Sequence, residues 1–165
     1  MTYALAVGYP LFLRQNKDGK MQAEIEIVDA HIALDSQQSK LWSYLNVLRQ
    51  TLGDMEREVQ ILAARDAAVT SETRIGVLDA LCRHPIVRQG FCLPGEEGVY
   101  AFLGEEKWLL TGVQADIWRE GDGQRPLEKL LDTVTPGWKS FDKQEKRLLL
   151  DNILGLAEAD LIYFR

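Results

Sequence analysis

Two cysteines and two histidines are all that 165 residues contain of these types. Cys82 and Cys92 are too few for a disulfide framework and suit a reducing cytosol. Cys82, His84 and Cys92 form a C-x-H-x7-C array with no fourth ligand nearby, so the bland reading, small buried thiols, outweighs a zinc site. Neither His31 nor His84 lies in a nucleophile motif. A G-x-x-x-x-G-K-[ST] phosphate loop and a G-x-G-x-x-G fingerprint are both missing. The expectation is a non-enzymatic chain with no cofactor and no metal.

Long apolar runs are missing as well. Residues 1–14 are apolar but have neither the basic lead and cleavage site of a signal peptide nor the ~20 residues of a spanning helix. No membrane partner is expected, and the cytoplasm is the expected location. An excess of positive charge is also lacking: the formal net charge is −6. Residues 1–94 carry 10 basic and 11 acidic side chains, and residues 95–165 carry 9 and 14. A protein that binds phosphate backbones non-specifically is usually basic, which places DNA behind a peptide or protein as the expected partner.

What is present is a clear pattern. Ala23, Ile25 and Ile27 alternate with polar residues after an apolar stretch at 3–14 and a turn containing Asp18-Gly19, which predicts a hairpin. Residues 32–34 predict a short strand. Leu41, Trp42, Leu45 and Leu48 then recur at helical spacing, with Asp35 and Gln38 as a capping box, and Met55, Val59 and Leu62 repeat the period. A third helix is predicted over 71–83. Strands follow at 86–93, 99–103 and 108–110, helices at 112–119, 127–134 and 142–156, and a last strand at 161–164.

The two halves correspond. Leu34 and Leu110 are 76 positions apart, as are Trp42 and Trp118, and a helix start lies between the members of each pair. With the later elements also recurring in order, duplication outweighs coincidence. The predicted fold is α+β, a tandem of winged-helix-like repeats, each a small antiparallel sheet or hairpin plus three helices. The halves would be 1–94 and 95–165.

Trp42 and Trp118, beside Leu41 and Ile117, read as core rather than ligand-stacking residues. Trp138 reads as a loop anchor or an exposed contact. Lys139, Lys143, Lys146 and Arg147 are spaced to share one helix face, with Leu149, Leu150, Ile153 and Leu154 on the packing side. Such a face serves DNA, an anionic peptide or simply solvent.

Three stretches carry a family resemblance: Trp108-Leu109-Leu110-Thr111-Gly112-Val113-Gln114-Ala115-Asp116-Ile117-Trp118, then Glu120-Gly121-Asp122-Gly123, then Pro126-Leu127-Glu128-Lys129-Leu130-Leu131. Through them residues 99–164 resemble the PqqD-like family, small winged-helix modules that bind leader segments of modified ribosomal peptides. Thr111 stands where that family usually has asparagine. The resemblance implies peptide capture by strand addition at residues 107–110, with Lys107 and Leu109 on the strand and Lys143, Lys146 and Arg147 as a groove wall. A winged-helix transcription regulator and a structural or dimerisation module, with a homodimer contact, are the other readings.

Overall fold

The computed structural model describes all residues except Asn16, Gly19, Val28 and Asp29, with the backbone alone for 12–15 and Met21. The turn expected at Asp18-Gly19 and the strand end at Val28 therefore fall partly outside the described residues. The chain is mixed α/β, with six α-helices and four three-stranded antiparallel sheets among the described residues. It divides into two units, Met1–Leu81 with Phe164–Arg165, and Cys82–Tyr163.

In the first unit β1 (Thr2–Ala6) leads through Gly8 into the meander β2 (Tyr9–Gln15), β3 (Met21–Ile27) and β4 (Ala30–Leu34). Then come α1 (Ser36–Tyr44), β5 (Arg49–Thr51), α2 (Asp54–Ala64), β6 (Ala68–Ser71) and α3 (Gly76–Leu81). The strand β1 sits between β5 and β6. Gly8 adopts φ +105, a left-handed conformation that lets the chain leave one sheet and start another. The apolar stretch at 3–14 is thus two strands in two sheets rather than one.

The second unit runs β7 (Pro85–Arg88), then the meander β8 (Phe91–Pro94), β9 (Val99–Leu103) and β10 (Glu106–Leu110). It continues with α4 (Gly112–Glu120), β11 (Asp122–Pro126), α5 (Leu127–Val134), a 3-10 turn at Trp138–Ser140, α6 (Lys143–Glu158) and β12 (Ile162–Phe164), whose last residue is counted with the first unit. Here β7 sits between β11 and β12. The single strand expected at 86–93 is broken by Gly90, φ +79. A Cβ there would lie 1.9 Å from the Phe102 carbonyl oxygen, so only glycine fits. The expected boundary at 94/95 falls between β8 and β9, two strands that pair, and the division lies instead at Leu81/Cys82.

The units share one framework: a central first strand, a three-stranded meander, a helix, an edge strand, a helix and the other edge strand. Hydrogen bonds mark the equivalences. Ala6 N–H donates to Leu45 O (2.8 Å) and Val7 N–H to Ala67 O (3.0 Å); Arg88 N–H donates to Gly121 O (3.0 Å) and Gln89 N–H to Leu161 O (2.8 Å). After α2 and α6 the chain turns through Asp66 (φ 56) and Asp160 (φ 54), the two non-glycine residues with positive φ among those described. The offset of 76 holds through β3, β4 and α1. It differs before them because the β2–β3 hairpin is longer than β8–β9, and after them because α5 and the 3-10 turn have no partner in the first unit.

The helix after each meander is pinned by its indole, though to non-equivalent carbonyls. Trp42 Nε1 donates to Val7 O (2.9 Å) and Trp118 Nε1 to Leu161 O (3.2 Å), both rings buried. An indole N–H that found no acceptor in the core would lose its hydration uncompensated. The Asp35–Gln38 capping box is present, and Asp142 with Glu145 forms a second one at α6. The helix expected over 71–83 is confined to Gly76–Leu81, because Ala68–Ser71 pairs with β1. The strands β5 and β11 are short and polar, so they carry no alternation to read.

Candidate functional site

The meander of the second unit has two faces. Val99, Ala101 and Leu110 are buried on one. The register puts Phe91, Phe102 and Lys107 in one cross-strand row on the other, and Leu93, Tyr100 and Leu109 in the next. Phe91 is 59% exposed, Leu93 52% and Leu109 45%. The rings of Phe91 and Phe102 stack, with centroids 5.0 Å apart and planes 7° from parallel. Lys107 Nζ lies 3.8 Å from the Tyr100 ring centroid and 5.9 Å from that of Phe102, a contact worth about 0.5–1 kcal/mol at an exposed site. Beside Tyr100 and Leu109 the turn Pro94–Glu97 encloses an open depression.

A meander whose second face is apolar is unusual for a sheet in water, where that face normally alternates to polar residues. On its middle strand the first unit follows the normal rule, although β2 sets Tyr9 opposite Glu26. Glu24, Glu26, His31 and Ala33 occupy the positions equivalent to Tyr100, Phe102, Lys107 and Leu109. His31 Nδ1 lies 3.3 Å from Glu24 Oε1, and Glu26 pairs with Arg165 at 2.8 Å. The framework therefore does not need apolar residues at the positions of Tyr100 and Phe102.

The edge strands differ too. In the first unit Arg65, at the end of α2, donates from Nη2 to the main-chain carbonyl of Ala33 on β4 (2.8 Å) and from Nη1 to Gln38 Oε1 (3.0 Å). Ser39 Oγ bridges Ala23 N–H and Leu34 O on the inner side of the same strand, so alternation turns the polar groups of Ala33 outward. The guanidinium thus occupies the open edge of β4. In the second unit Leu109 stands for Ala33 and Gln114 for Gln38, but Ala159 stands for Arg65. Among the described residues no side chain donates to the Leu109 carbonyl, and β10 is the outer strand of its sheet.

Lys107 and Leu109 are thus together on one exposed strand. Lys143, Lys146 and Arg147 form one turn of α6, where Arg147 Nε stands 4.0 Å from Asp151 Oδ2. Lys139 does not join them. It lies on the 3-10 turn, and its ammonium is held by Glu128 and Asp132 of α5, which push its pKa up, the Glu128 hydrogen bond most. Trp138 is buried and donates to Asp132 Oδ1 (3.0 Å), an anchor rather than an exposed contact.

His84 is buried and accepts from Arg83 Nε (3.2 Å); Cys92 is exposed on β8. No group of three or more His, Cys, Asp or Glu among the described residues is placed to hold a metal ion. No helix among them is long and apolar enough to cross a membrane.

The aromatic row escaped sequence reading, though its signal was available. Phe91 with Leu93, and Tyr100 with Phe102, alternate with period two, and carrying the offset of 76 into β3 sets Tyr100 and Phe102 against Glu24 and Glu26. Comparison with family models, curated proteins and solved structures returns no match to this chain.

Proposed function

We propose that the chain is a non-enzymatic binding module that captures a peptide or protein segment by strand addition at β10, in the manner of the PqqD-like modules it resembles. The observation that carries this reading is the contrast between the two edges: Arg65 occupies the outward carbonyl of β4, and among the described residues no side chain equivalently occupies that of β10. An incoming strand would bond to the outward groups of Lys107 and Leu109, and the wall of the groove would be Lys143, Lys146 and Arg147. The order β9, β10, α4, β11, α5, α6, β12, a hairpin, three helices with one short strand among them and a closing strand, supports a winged-helix-like reading of the second unit. That neither Cys82 nor Cys92 is in a disulfide supports a cytoplasmic location.

DNA binding is the weaker alternative, since Lys139 and Arg147 both have carboxylate neighbours and the basic surface shrinks to Lys143 and Lys146. Peptides selected from a displayed library against the intact protein test the reading. Ala159→Arg, which transplants the Arg65 clamp, and Leu109→Pro, which removes an outward N–H, should each weaken such peptides by about tenfold or more. Lys143→Glu with Arg147→Glu tests the wall. Selected peptides whose affinity survives both edge variants would sink strand addition.

A further inference from the structure

The free face of the β8–β9–β10 sheet is distinct from the β10 edge, and it asks for a different occupant. We infer that this face docks a cationic amphipathic helix of a partner protein. Tyr100 and Phe102, the central pair of the face's five apolar side chains, are not a requirement of the fold, because the first unit builds the same meander with Glu24 and Glu26 in their places. An exposed contiguous apolar patch framed by polar residues marks an interaction surface.

The charge of the frame specifies the partner. Exposed Glu96 and Glu97 lie in the turn at one end of the strands, and exposed Glu105 lies in the turn at the other. The cation between them, Lys107, is folded down over Tyr100. A complementary occupant therefore carries large apolar residues at its centre and Lys or Arg at both ends.

Dimensions favour a helix. Five-residue strands cover about 14 Å and three strands span about 10 Å between outer axes, the length of a helix of roughly ten residues and the width of one helix. An extended segment would seek an edge, where its backbone finds partners, rather than a face. A second copy of this sheet would bring acidic frames together, and an anionic membrane surface would meet the same glutamates.

The test uses the full chain and a fluorescein-labelled helical peptide of about 14 residues, with leucines on one face and lysines at both ends. A control peptide carries glutamates in place of the lysines. The lysine peptide should bind at least about tenfold more tightly than the control, and Glu96→Lys with Glu105→Lys should abolish that preference. Phe91→Ser with Leu93→Ser should weaken the lysine peptide by about tenfold or more. Both positions are exposed on β8, so circular dichroism should show the variant folded, and it leaves the β10 edge intact. Peptides captured at β10 should therefore keep their affinity in this variant, while Ala159→Arg should spare the lysine peptide. Undiminished lysine-peptide binding by the serine variant overturns the inference. So does sedimentation of the wild type as a dimer that the serine variant makes monomeric, which would assign the face to a second copy.

Discussion

Tyr100 and Glu24 occupy the same place in two copies of one framework, as do Phe102 and Glu26, Lys107 and His31, Leu109 and Ala33. What surrounds them on the inner side is alike: Ile25 and Ala101 are fully buried, and so nearly are Leu34 and Leu110. The outer side has diverged at its centre, although Tyr9 opposite Glu26 keeps an aromatic where the second unit has Phe91. One copy presents carboxylates, one of them paired with Arg165, and a shut strand edge; the other presents stacked rings and an open edge. Core positions are held by packing, which penalises any change of volume, whereas outward positions are free to follow a partner. The second unit is the one whose surface departs from what folding alone requires.

The comparison can be broken at its shared anchor first. If the two indoles play one structural role, Trp118→Ala and Trp42→Ala should each cost about 3–5 kcal/mol, read from urea unfolding. A cost below ~1 kcal/mol in either unit would mean that the shared framework is not shared energetics. Next in size is the glycine that starts each meander. Gly90→Ala places a Cβ against the Phe102 carbonyl and should cost about 3 kcal/mol. Gly8→Ala meets Ile27 Cγ1 at 3.0 Å and Glu26 O at 3.1 Å, a milder conflict, and should cost less.

The difference at the edges is sharpened by Arg65→Ala. Loss of its two hydrogen bonds should cost about 1 kcal/mol and speed amide exchange along β4 while leaving β10 unchanged. Exchange on β4 that stays as slow as before would mean that Arg65 does not protect that edge.

The smallest effect concerns acid. Asp122 Oδ1 accepts from the backbone of Gln124 and Arg125, which together with the Arg125 guanidinium hold its carboxyl below the usual aspartate range. A depressed carboxyl contributes stability above its unfolded value and loses it as pH falls through its folded value. The equivalent residue of the first unit is Asn46, which does not titrate. Asp122→Asn should therefore remove a small part of the destabilisation below about pH 4, and unfolding midpoints at pH 6 and pH 3 would check it. A variant that loses as much stability as the wild type on acidification would remove Asp122 from that response.

Much of the framework was legible. Helical period and the Asp35 cap located α1, Gly- and Pro-containing breaks bounded α4 through α6, and the offset between Trp42 and Trp118 pointed to duplication. These features are local, set by side chains three or four residues apart. Chain reversals were less legible. Gly8 and Gly90 sit inside apolar runs that read as continuous strands, because the need for positive φ comes from the neighbouring strand and not from the run itself. The strands β5, β6 and β11 form because β1 and β7 offer them partners, a non-local reason that no short window contains.

The candidate site divides along the same line. Sequence placed Lys107 and Leu109 on a strand and Lys143, Lys146 and Arg147 on a helix face, since period alone decides both. Lys139 was grouped with the latter by spacing, but α6 begins only at Lys143, after it, and Glu128 with Asp132 claim its charge. By itself the sequence determined which residues share a face of each element and that Leu34 and Trp42 recur 76 positions on as Leu110 and Trp118. Only the tertiary structure decided which of those faces are covered, which edge Arg65 closes, and that Phe91, Leu93, Tyr100, Phe102 and Leu109 meet in the open. Exposure and edge occupancy depend on partners distant in sequence, whereas periodicity does not.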